Sequence, residues 1–150
     1  MSTRSRFLAA AALMASAVIY GTDVFCAIVR RPALAQVSDR ALTSVMGRVH
    51  EYGDRRLPLP GALGITAAAI AGHAAAAVAA ATAVTAQAVW LIIYVRASAP
   101  VNRALTAAAR AGYVPADARS LQQRWDSVTT ARAILQAAAA AALCAALAVP

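Results

Sequence analysis

The sequence predicts an all-α protein, a four-helix transmembrane bundle with a cytoplasmic amphipathic helix between the first and second spans. The first observation behind this prediction is composition. Of the 150 residues, 61% are hydrophobic and 13% are charged, whereas soluble domains have about 25% charged residues. The second observation is that the apolar residues are gathered into tracts long enough to cross a bilayer, which takes about 20 residues as a helix. We treat residues 1–150 as one domain.

Three apolar tracts give the four spans. The first tract is interrupted only by Asp23. The second, 57–95, has 39 residues without Asp, Glu or Arg; as one helix it would be about 58 Å long, roughly twice the hydrocarbon core, so it must fold back. The last helix is expected to extend on its inner side to about Ser120. The predicted spans are 7–29, 57–76, 78–97 and 131–149.

The second span is the weakest of the four, because Ala and Gly dominate it. Small residues recur in it every four positions, at Gly64, Ala68, Gly72 and Ala76. Such a row lets a neighbouring helix approach closely, although the abundance of alanine in this chain can produce the same spacing. His73, near the turn into span three, is interpreted as a packing or helix-end residue.

The arginines predict the orientation. All 14 basic residues are arginine, and 12 of them lie on the side of the two long connections. Basic residues mark the cytoplasmic side, so we expect a multi-pass protein of the cell (inner) membrane with both termini outside. The competing interpretation is a signal peptide cleaved after "ALAQ", 33–36. Asp23 inside the apolar run, and Arg30 after it, favour a retained first helix.

Composition also limits the partners. The net charge is +8, but the arginines lie between apolar tracts without interleaved aromatic residues, so no nucleic-acid partner is expected. Cys26 and Cys144 are predicted about 15 Å apart in depth, too far for a disulfide. No metal-ligand spacing is present, and neither a metal nor a cofactor is expected. The lipid bilayer is the one certain partner, and the oligomeric state is open.

The first long connection predicts an amphipathic helix over 33–52. Pro32 suits its first turn, and "YGD" is expected to end it. His50 and Asp54 then belong either to a solvated rim or to a segment that folds over the mouth of the bundle. The apolar face of this helix comprises Val37, Ala41, Leu42, Val45, Met46 and Val49.

The second long connection follows span three. Pro100 is expected to end that span, and Asn102 to cap the next short helix. Trp90 and Tyr94, just before Arg96, are typical of an interfacial aromatic belt.

Polar residues inside the spans predict a buried contact. An Asp at the centre of a span costs about 2.5–3.5 kcal/mol on insertion scales, so Asp23 needs a partner. In "WDSVTTARAILQ" the residues Trp125, Thr129, Arg132 and Gln136 form one helical stripe. We expect this stripe to face other helices and Arg132 to pair with Asp23. The alternative is that Arg132 reaches the headgroups and Asp23 is protonated.

Four segments together resemble the bacterial side of the anthrone oxygenase-like membrane family, many of whose members have no assigned function. The segments are "YGTDVFCAIVRRPAL" (20–34), "VMGRVHEYGDRRLPLPG" (45–61), "APVNRAL" (99–105) and "RWDSVTTAR" (124–132). The most specific parts are Pro100 with Asn102, and Trp125 with Arg132 seven residues later. Many family members have His four residues after the Trp, where this chain has Thr129.

This resemblance implies a small four-helix membrane protein, some of whose relatives oxidise anthrones to anthraquinones with O2 and without a metal or flavin. Such chemistry needs an apolar slot for a lipophilic aromatic molecule, a base, and donors for the oxyanion. His50 or Asp23 is the candidate base. Arg132, Asn102 and the Trp125 indole N–H are the candidate donors.

Two other functions compete with an oxygenase. The first is a non-catalytic membrane scaffold or assembly partner, in which the polar stripe only holds the bundle together. The second is a proton-coupled carrier built around Asp23. Single replacements that abolish activity without unfolding the protein would favour the enzyme.

Overall fold

The computed structural model describes residues 3–58 and 77–148. Within these two ranges the chain forms helices joined by short loops, and no strand is present. Two five-residue stretches are π-helical, with a wider turn than that of an α-helix. The elements in order are α1 (Thr3–Phe25), a π-turn (Cys26–Arg30), α2 (Arg31–Ala35), α3 (Asp39–Arg56), α4 (Ala77–Ile93), a π-turn (Tyr94–Ser98), α5 (Ala99–Ala111) and α6 (Ala118–Ala148).

Three continuous helical stretches are long and apolar enough to cross a membrane: Thr3–Ala35, Ala77–Ala111 and Ala118–Ala148. The protein is therefore a helical membrane protein, and these stretches contain most of the predicted first, third and fourth spans. The predicted second span, 57–76, lies outside the described residues apart from its first two positions, as do the small-residue row and His73.

Helix α6 packs against both α1 and α4. Alanine dominates these contacts, because a small side chain lets helices approach closely where the surrounding lipid weakens the hydrophobic driving force. Large apolar side chains such as Phe7, Met14 and Ile134 are exposed on the outer surfaces of the helices. The buried cluster between the spans comprises Ala12, Ala83, Ala86, Ala139 and Leu143.

Helices α3 and α5 pack against each other and form what we call the helical cap, at the end of the bundle where α6 begins. Leu42 and Met46 of α3 are buried with Leu105 of α5. Arg119, in the first turn of α6, donates from Nε to Asp39 at 2.6 Å. It also donates to the backbone oxygens of Leu34 and Val37. These bonds fasten the loop before α3 to α6.

Gly47 is the point of closest approach between α3 and α5. A Cβ atom placed on Gly47 would lie 2.5 Å from the backbone oxygen of Leu105 and would also overlap the side chain of Ala109. The backbone oxygen of Gly47 accepts a hydrogen bond from Thr106 Oγ1 at 3.1 Å. The two helix backbones therefore meet where one of them has no side chain.

The Gly47→Ala replacement should destabilise the cap. Overlap with a neighbouring backbone cannot be relieved by rotating a side chain, so we expect a loss of about 1–3 kcal/mol and a lower melting temperature in detergent. Gly53→Ala on the same helix is the matched control, because its Cβ would meet only Leu57 Cδ1 at 3.8 Å. Equal melting temperatures for the two variants would contradict this account of the contact.

A helix lies in the first long connection, but not over the predicted residues 33–52. Helix α3 begins at Asp39, because Ser38 caps it by accepting a hydrogen bond from the backbone N–H of Ala41 at 3.2 Å. Pro32 starts α2, which continues the first span. The "YGD" motif does not end α3, which runs on to Arg56.

The predicted end of span three at Pro100 is also wrong. The helix continues through the π-turn Tyr94–Ser98 into α5, and Pro100 occupies the first turn of α5. Proline has no backbone N–H to donate to the preceding turn. It is tolerated here because the π-turn changes the pattern of backbone hydrogen bonds just before it. Asn102 consequently lies inside a helix and caps nothing. The long fourth helix is confirmed, since α6 begins at Ala118 and includes Ser120.

Candidate functional site

A cavity of about 330 Å³ lies where α1, α4 and α6 meet the helical cap. This volume is at the lower end of the range of about 300–1,000 Å³ typical of small-molecule sites. Apolar side chains including Ile19, Val49 and Leu91 form part of its wall. All five residues predicted for the site line this one cavity: Asp23, His50, Asn102, Trp125 and Arg132.

Asp23 and Arg132 form the predicted ion pair, which is confirmed. Arg132 Nη2 lies 2.5 Å from Asp23 Oδ1, and the two residues are 0% and 5% exposed. The second carboxylate oxygen accepts a hydrogen bond from Trp90 Nε1 at 2.7 Å. Arg132 Nη1 donates to Ser98 Oγ at 2.8 Å. Arg132 therefore does not reach towards headgroups, and both oxygens of Asp23 have a donor.

The stripe on α6 faces inward, as predicted. Trp125, Thr129, Arg132 and Gln136 are all buried. Thr129 Oγ1 donates to the backbone oxygen of Trp125 at 3.1 Å, within its own helix. The other three side chains line the cavity.

The prediction that Trp90 and Tyr94 belong to an interfacial belt is wrong. Both line the cavity, and their rings stack with centroids 5.5 Å apart. Trp90 is drawn inward because the buried carboxylate of Asp23 needs its indole N–H. The guanidinium of Arg132 lies 5.1 Å from the Trp90 ring, 5.7 Å from Tyr94 and 5.0 Å from Trp125. All three rings lie within the distance of about 6 Å at which cation–π attraction stabilises a guanidinium.

His50 folds over the cavity and is 4% exposed, so it does not belong to a solvated rim. Its ring lies 5.7 Å from that of Trp125, and its Nε2 atom has no hydrogen-bond partner within residues 3–58 and 77–148. Burial, followed by the charges of Arg30 and Arg132, lowers the pKa of His50 to about 3. The imidazole is therefore neutral at physiological pH.

The remaining charges on the last turns of α3 do form a surface network. Glu51 pairs with Arg55 at 3.0 Å and with Arg110 of α5 at 2.8 Å. The hydrogen bond from Arg110 lowers the pKa of Glu51. Glu51 thus links the two cap helices on their outer side, while His50 beside it points inward.

The buried neutral state of His50 should make stability depend on pH. The folded-state pKa of about 3 lies below the ordinary value of 6.5, so the unfolded chain binds more protons between these values. The contribution of His50 to the free energy of unfolding is therefore fully present above pH 6.5 and is lost as the pH falls. At pH 5 the loss is about 2 kcal/mol. We expect the melting temperature to fall between pH 7.5 and pH 5 in the wild type. The fall should be smaller in His50→Gln, and equal falls would contradict the assignment.

Asn102 and Trp125 do not play the predicted role of free donors. Trp125 Nε1 donates to Asn102 Oδ1 at 2.9 Å, and Asn102 Nδ2 donates to Asp54 Oδ1 at 2.7 Å. Tyr94 Oη donates to the same Asp54 oxygen at 2.6 Å. This chain of bonds joins α6, α5, α3 and the π-turn after α4, and it fixes the wall of the cavity.

Arg30 is the residue that the sequence reasoning missed. It ends the first π-turn, lines the cavity and lies 3.8 Å over the ring of Trp125. Its side chain is 10% exposed, yet Nε and Nη2 have no hydrogen-bond partner in the part of the chain that the structure describes. Its position seven residues after Asp23, two α-helical turns, was a signal that could have identified it.

Comparisons with protein-family models, with curated proteins and with solved structures give no match. In the described ranges, no three His, Cys, Asp or Glu side chains are grouped so that they could hold a metal ion. Cys26 and Cys144 are both free thiols, as predicted.

Proposed function

We propose that this protein is a small membrane enzyme, similar to the cofactor-independent anthrone oxygenases, that oxidises a lipophilic aromatic molecule with O2. The observation that carries the proposal is that His50, whose buried Nε2 has no hydrogen-bond partner among the described residues, lines a cavity that Arg30 and Arg132 also line. A neutral base beside two cations suits a reaction that generates an anion.

The reaction begins when His50 Nε2 takes a proton from the CH2 group opposite the ring carbonyl of an anthrone. The resulting carbanion is delocalised onto the carbonyl oxygen, where a guanidinium N–H stabilises the charge; Arg132 Nε is a buried donor without a partner. The anion transfers an electron to O2, and a carbon–oxygen bond then forms. Loss of the second C–H proton and cleavage of the O–O bond give the quinone. One oxygen atom enters the product and the other leaves as water.

A pKa of about 3 is compatible with His50 acting as the base. The cations that disfavour an imidazolium also favour the deprotonated substrate, so they lower both pKa values. The difference between the two pKa values determines the proton transfer, and the cations leave this difference nearly unchanged. Burial, the largest cause of the low pKa of His50, disfavours both charged products, and the attraction between imidazolium and carbanion offsets part of that cost. The low pKa also keeps the imidazole unprotonated before substrate binds.

Asp23 is a positioning residue in this proposal rather than the base. Its two oxygens accept hydrogen bonds from Arg132 and Trp90, so neither is free to take a proton from substrate. The same contacts argue against a carrier built around Asp23, because a carried proton would have to break an ion pair that is 0% exposed at the carboxylate.

We further propose the complete topology: four spans in the cell membrane, the second at 57–76, with the helical cap in the cytoplasm. The described chain stops at Pro58, which lines the cavity beside the cap. It resumes at Ala77, ten residues before Gln87, which bonds to Ser16 deep in α1. A span between these points returns the chain to the far end of the bundle.

Alkaline phosphatase fused to the C-terminus should then be active, and an inactive, stable fusion would refute this orientation.

The test of the proposed function is O2 consumption by the purified protein in detergent with anthrone as substrate. We expect O2 uptake above the no-protein rate and appearance of the anthraquinone absorbance. Heat-denatured protein supplies the second control, because anthrones also react slowly with O2 unaided. A folded wild-type protein inert towards anthrone and hydroxylated anthrones would refute the oxygenase. It would favour the scaffold, in which the Asp23–Arg132 pair only joins α1 to α6.

A further inference from the structure

Arg30 has more N–H donors than the described part of the chain satisfies. Its Nε and Nη2 atoms are buried and unpartnered. The nearest carboxylate oxygen, Oδ1 of Asp126, is 3.8 Å from Nη2, which is too long for a hydrogen bond. That oxygen already accepts from Gln122 Nε2 at 3.0 Å. The indole face of Trp125 stabilises the Arg30 charge but cannot accept its in-plane N–H groups.

The other guanidinium of the cavity also has a spare donor. Arg132 uses both terminal nitrogens, on Asp23 and Ser98, and keeps Nε unpartnered and buried. Arg30 and Arg132 lie 3.8 Å and 5.0 Å from the centroid of the same Trp125 ring. Two cations with unused donors therefore share one wall of the cavity.

The carboxylates that line the cavity do not fill these donors. Asp23 is bound by Arg132 and Trp90, and Asp54 by Tyr94 and Asn102. Both cations have a carboxylate near them, but a buried N–H group without a hydrogen bond is costly. The spare donors of Arg30 and Arg132 are thus complementary to an acceptor that the described residues do not provide.

We propose that Arg30 and Arg132 together bind an anionic oxygen (a carboxylate, phenolate or enolate) of a ligand whose apolar body occupies the cavity. The proposal rests on the proposed function, because it names the substrate class of the same cavity: an acidic polycyclic molecule rather than a neutral one. Arg30 sets the preference for charge, since Arg132 is already paired with Asp23.

The two tryptophans give a direct measurement. Trp90 and Trp125 are the only tryptophans in the chain, and both line the cavity. An anthracene bound there should quench their emission by energy transfer. Anthracene-9-carboxylate and anthracene-9-carboxamide are nearly equal in shape and differ in charge. We expect the carboxylate to bind wild-type protein at least about tenfold more tightly than the carboxamide, as for a charge-assisted hydrogen bond.

Arg30→Gln should weaken carboxylate binding to about the level of the carboxamide and leave carboxamide binding unchanged. Arg40→Gln removes the same charge from an exposed position on α3 and should leave both affinities unchanged. Equal affinities of the wild type for both probes would overturn the proposal even if Arg30→Gln failed to fold. Equal weakening of both probes by Arg30→Gln would also overturn it.

A competition experiment separates this proposal from the oxygenase. Dodecanoate carries the same carboxylate on an acyl chain. If it displaces anthracene-9-carboxylate at equal concentration, the anion site stands and an acyl acid becomes the ligand, which contradicts the aromatic substrate of the oxygenase. If it does not displace the probe, the aromatic acid is supported. Anthrone-dependent O2 uptake with no preference for the carboxylate would leave the oxygenase standing and refute the anion site.

Discussion

His50→Gln is expected to abolish anthrone-dependent O2 uptake while leaving the protein folded. Glutamine is similar in size and keeps a polar group in the cavity, but its amide has no basic lone pair. Loss of a general base reduces turnover by about 10²–10⁴-fold. Because Nε2 of His50 makes no hydrogen bond with any described residue, the replacement breaks no such bond there, and the melting temperature at pH 7.5 should change by only a few degrees.

Arg48→Gln is the matched control for this experiment. Arg48 lies two residues from His50 on α3, its side chain is exposed, and its ion pair with Glu51 is long at 3.7 Å. We expect the activity of this variant to equal that of the wild type. A His50→Ala variant that regains activity with added imidazole would support the base directly. Full activity in a folded His50→Gln variant would show that another group takes the proton.

The second large effect is expected at the Asp23–Arg132 pair. Asp23→Ala leaves the guanidinium of Arg132 buried without its carboxylate, and Trp90 without its acceptor. Breaking one side of a buried ion pair typically costs about 3–5 kcal/mol. We therefore expect a large fall in melting temperature in detergent, with separation of α1 from α6 visible as faster proteolysis of the first span.

Two further variants make this prediction specific. The double variant Asp23→Leu/Arg132→Met replaces the pair by apolar side chains and should recover much of the lost stability, as apolar replacements of buried ion pairs often do. Asp39→Ala breaks the exposed pair with Arg119, and surface pairs contribute only about 0–1 kcal/mol. A double variant as unstable as Asp23→Ala would show that the ion pair is not what stabilises the contact.

Much of the site could be predicted because a charged side chain within a membrane span can be stabilised by few kinds of partner. An Asp in a span must find a cation or a donor, and Arg132 is one of the few groups at its depth, so the pair followed from energetics. The period of the α6 stripe then turned Trp125 and Gln136 inward together. A helix in the first long connection could also be predicted, because the helical spacing of its apolar residues is visible in the local sequence alone.

The errors at Trp90, Asn102 and Trp125 originate in tertiary contacts, and the error at Pro100 originates in the neighbouring turn of its own helix. Trp90 sits at interface depth in the sequence, yet the acceptor on Asp23, 67 residues away along the chain, holds its indole inside. Pro100 ends a helix by local rules, but a π-turn before it removes the conflict. The free donors assigned to Asn102 and Trp125 are consumed by each other and by Asp54. None of the hydrogen-bond partners of Trp90, Asn102 and Trp125 is close to them in the sequence.

The two π-turns have a consequence for how such a cavity could arise or disappear. Each wide turn absorbs an additional residue, and deleting one residue from Cys26–Arg30 would rewind it as ordinary helix. The helix beyond the turn would keep its orientation, because the wide turn absorbs the extra residue. The change would fall on the side chains inside the turn, among them Arg30, which lies over the ring of Trp125. The gain or loss of one codon is therefore enough to add Arg30 to the cavity wall or remove it, while the Asp23–Arg132 ion pair is retained. When related sequences are compared, insertions and deletions at the two π-turns should be examined before substitutions.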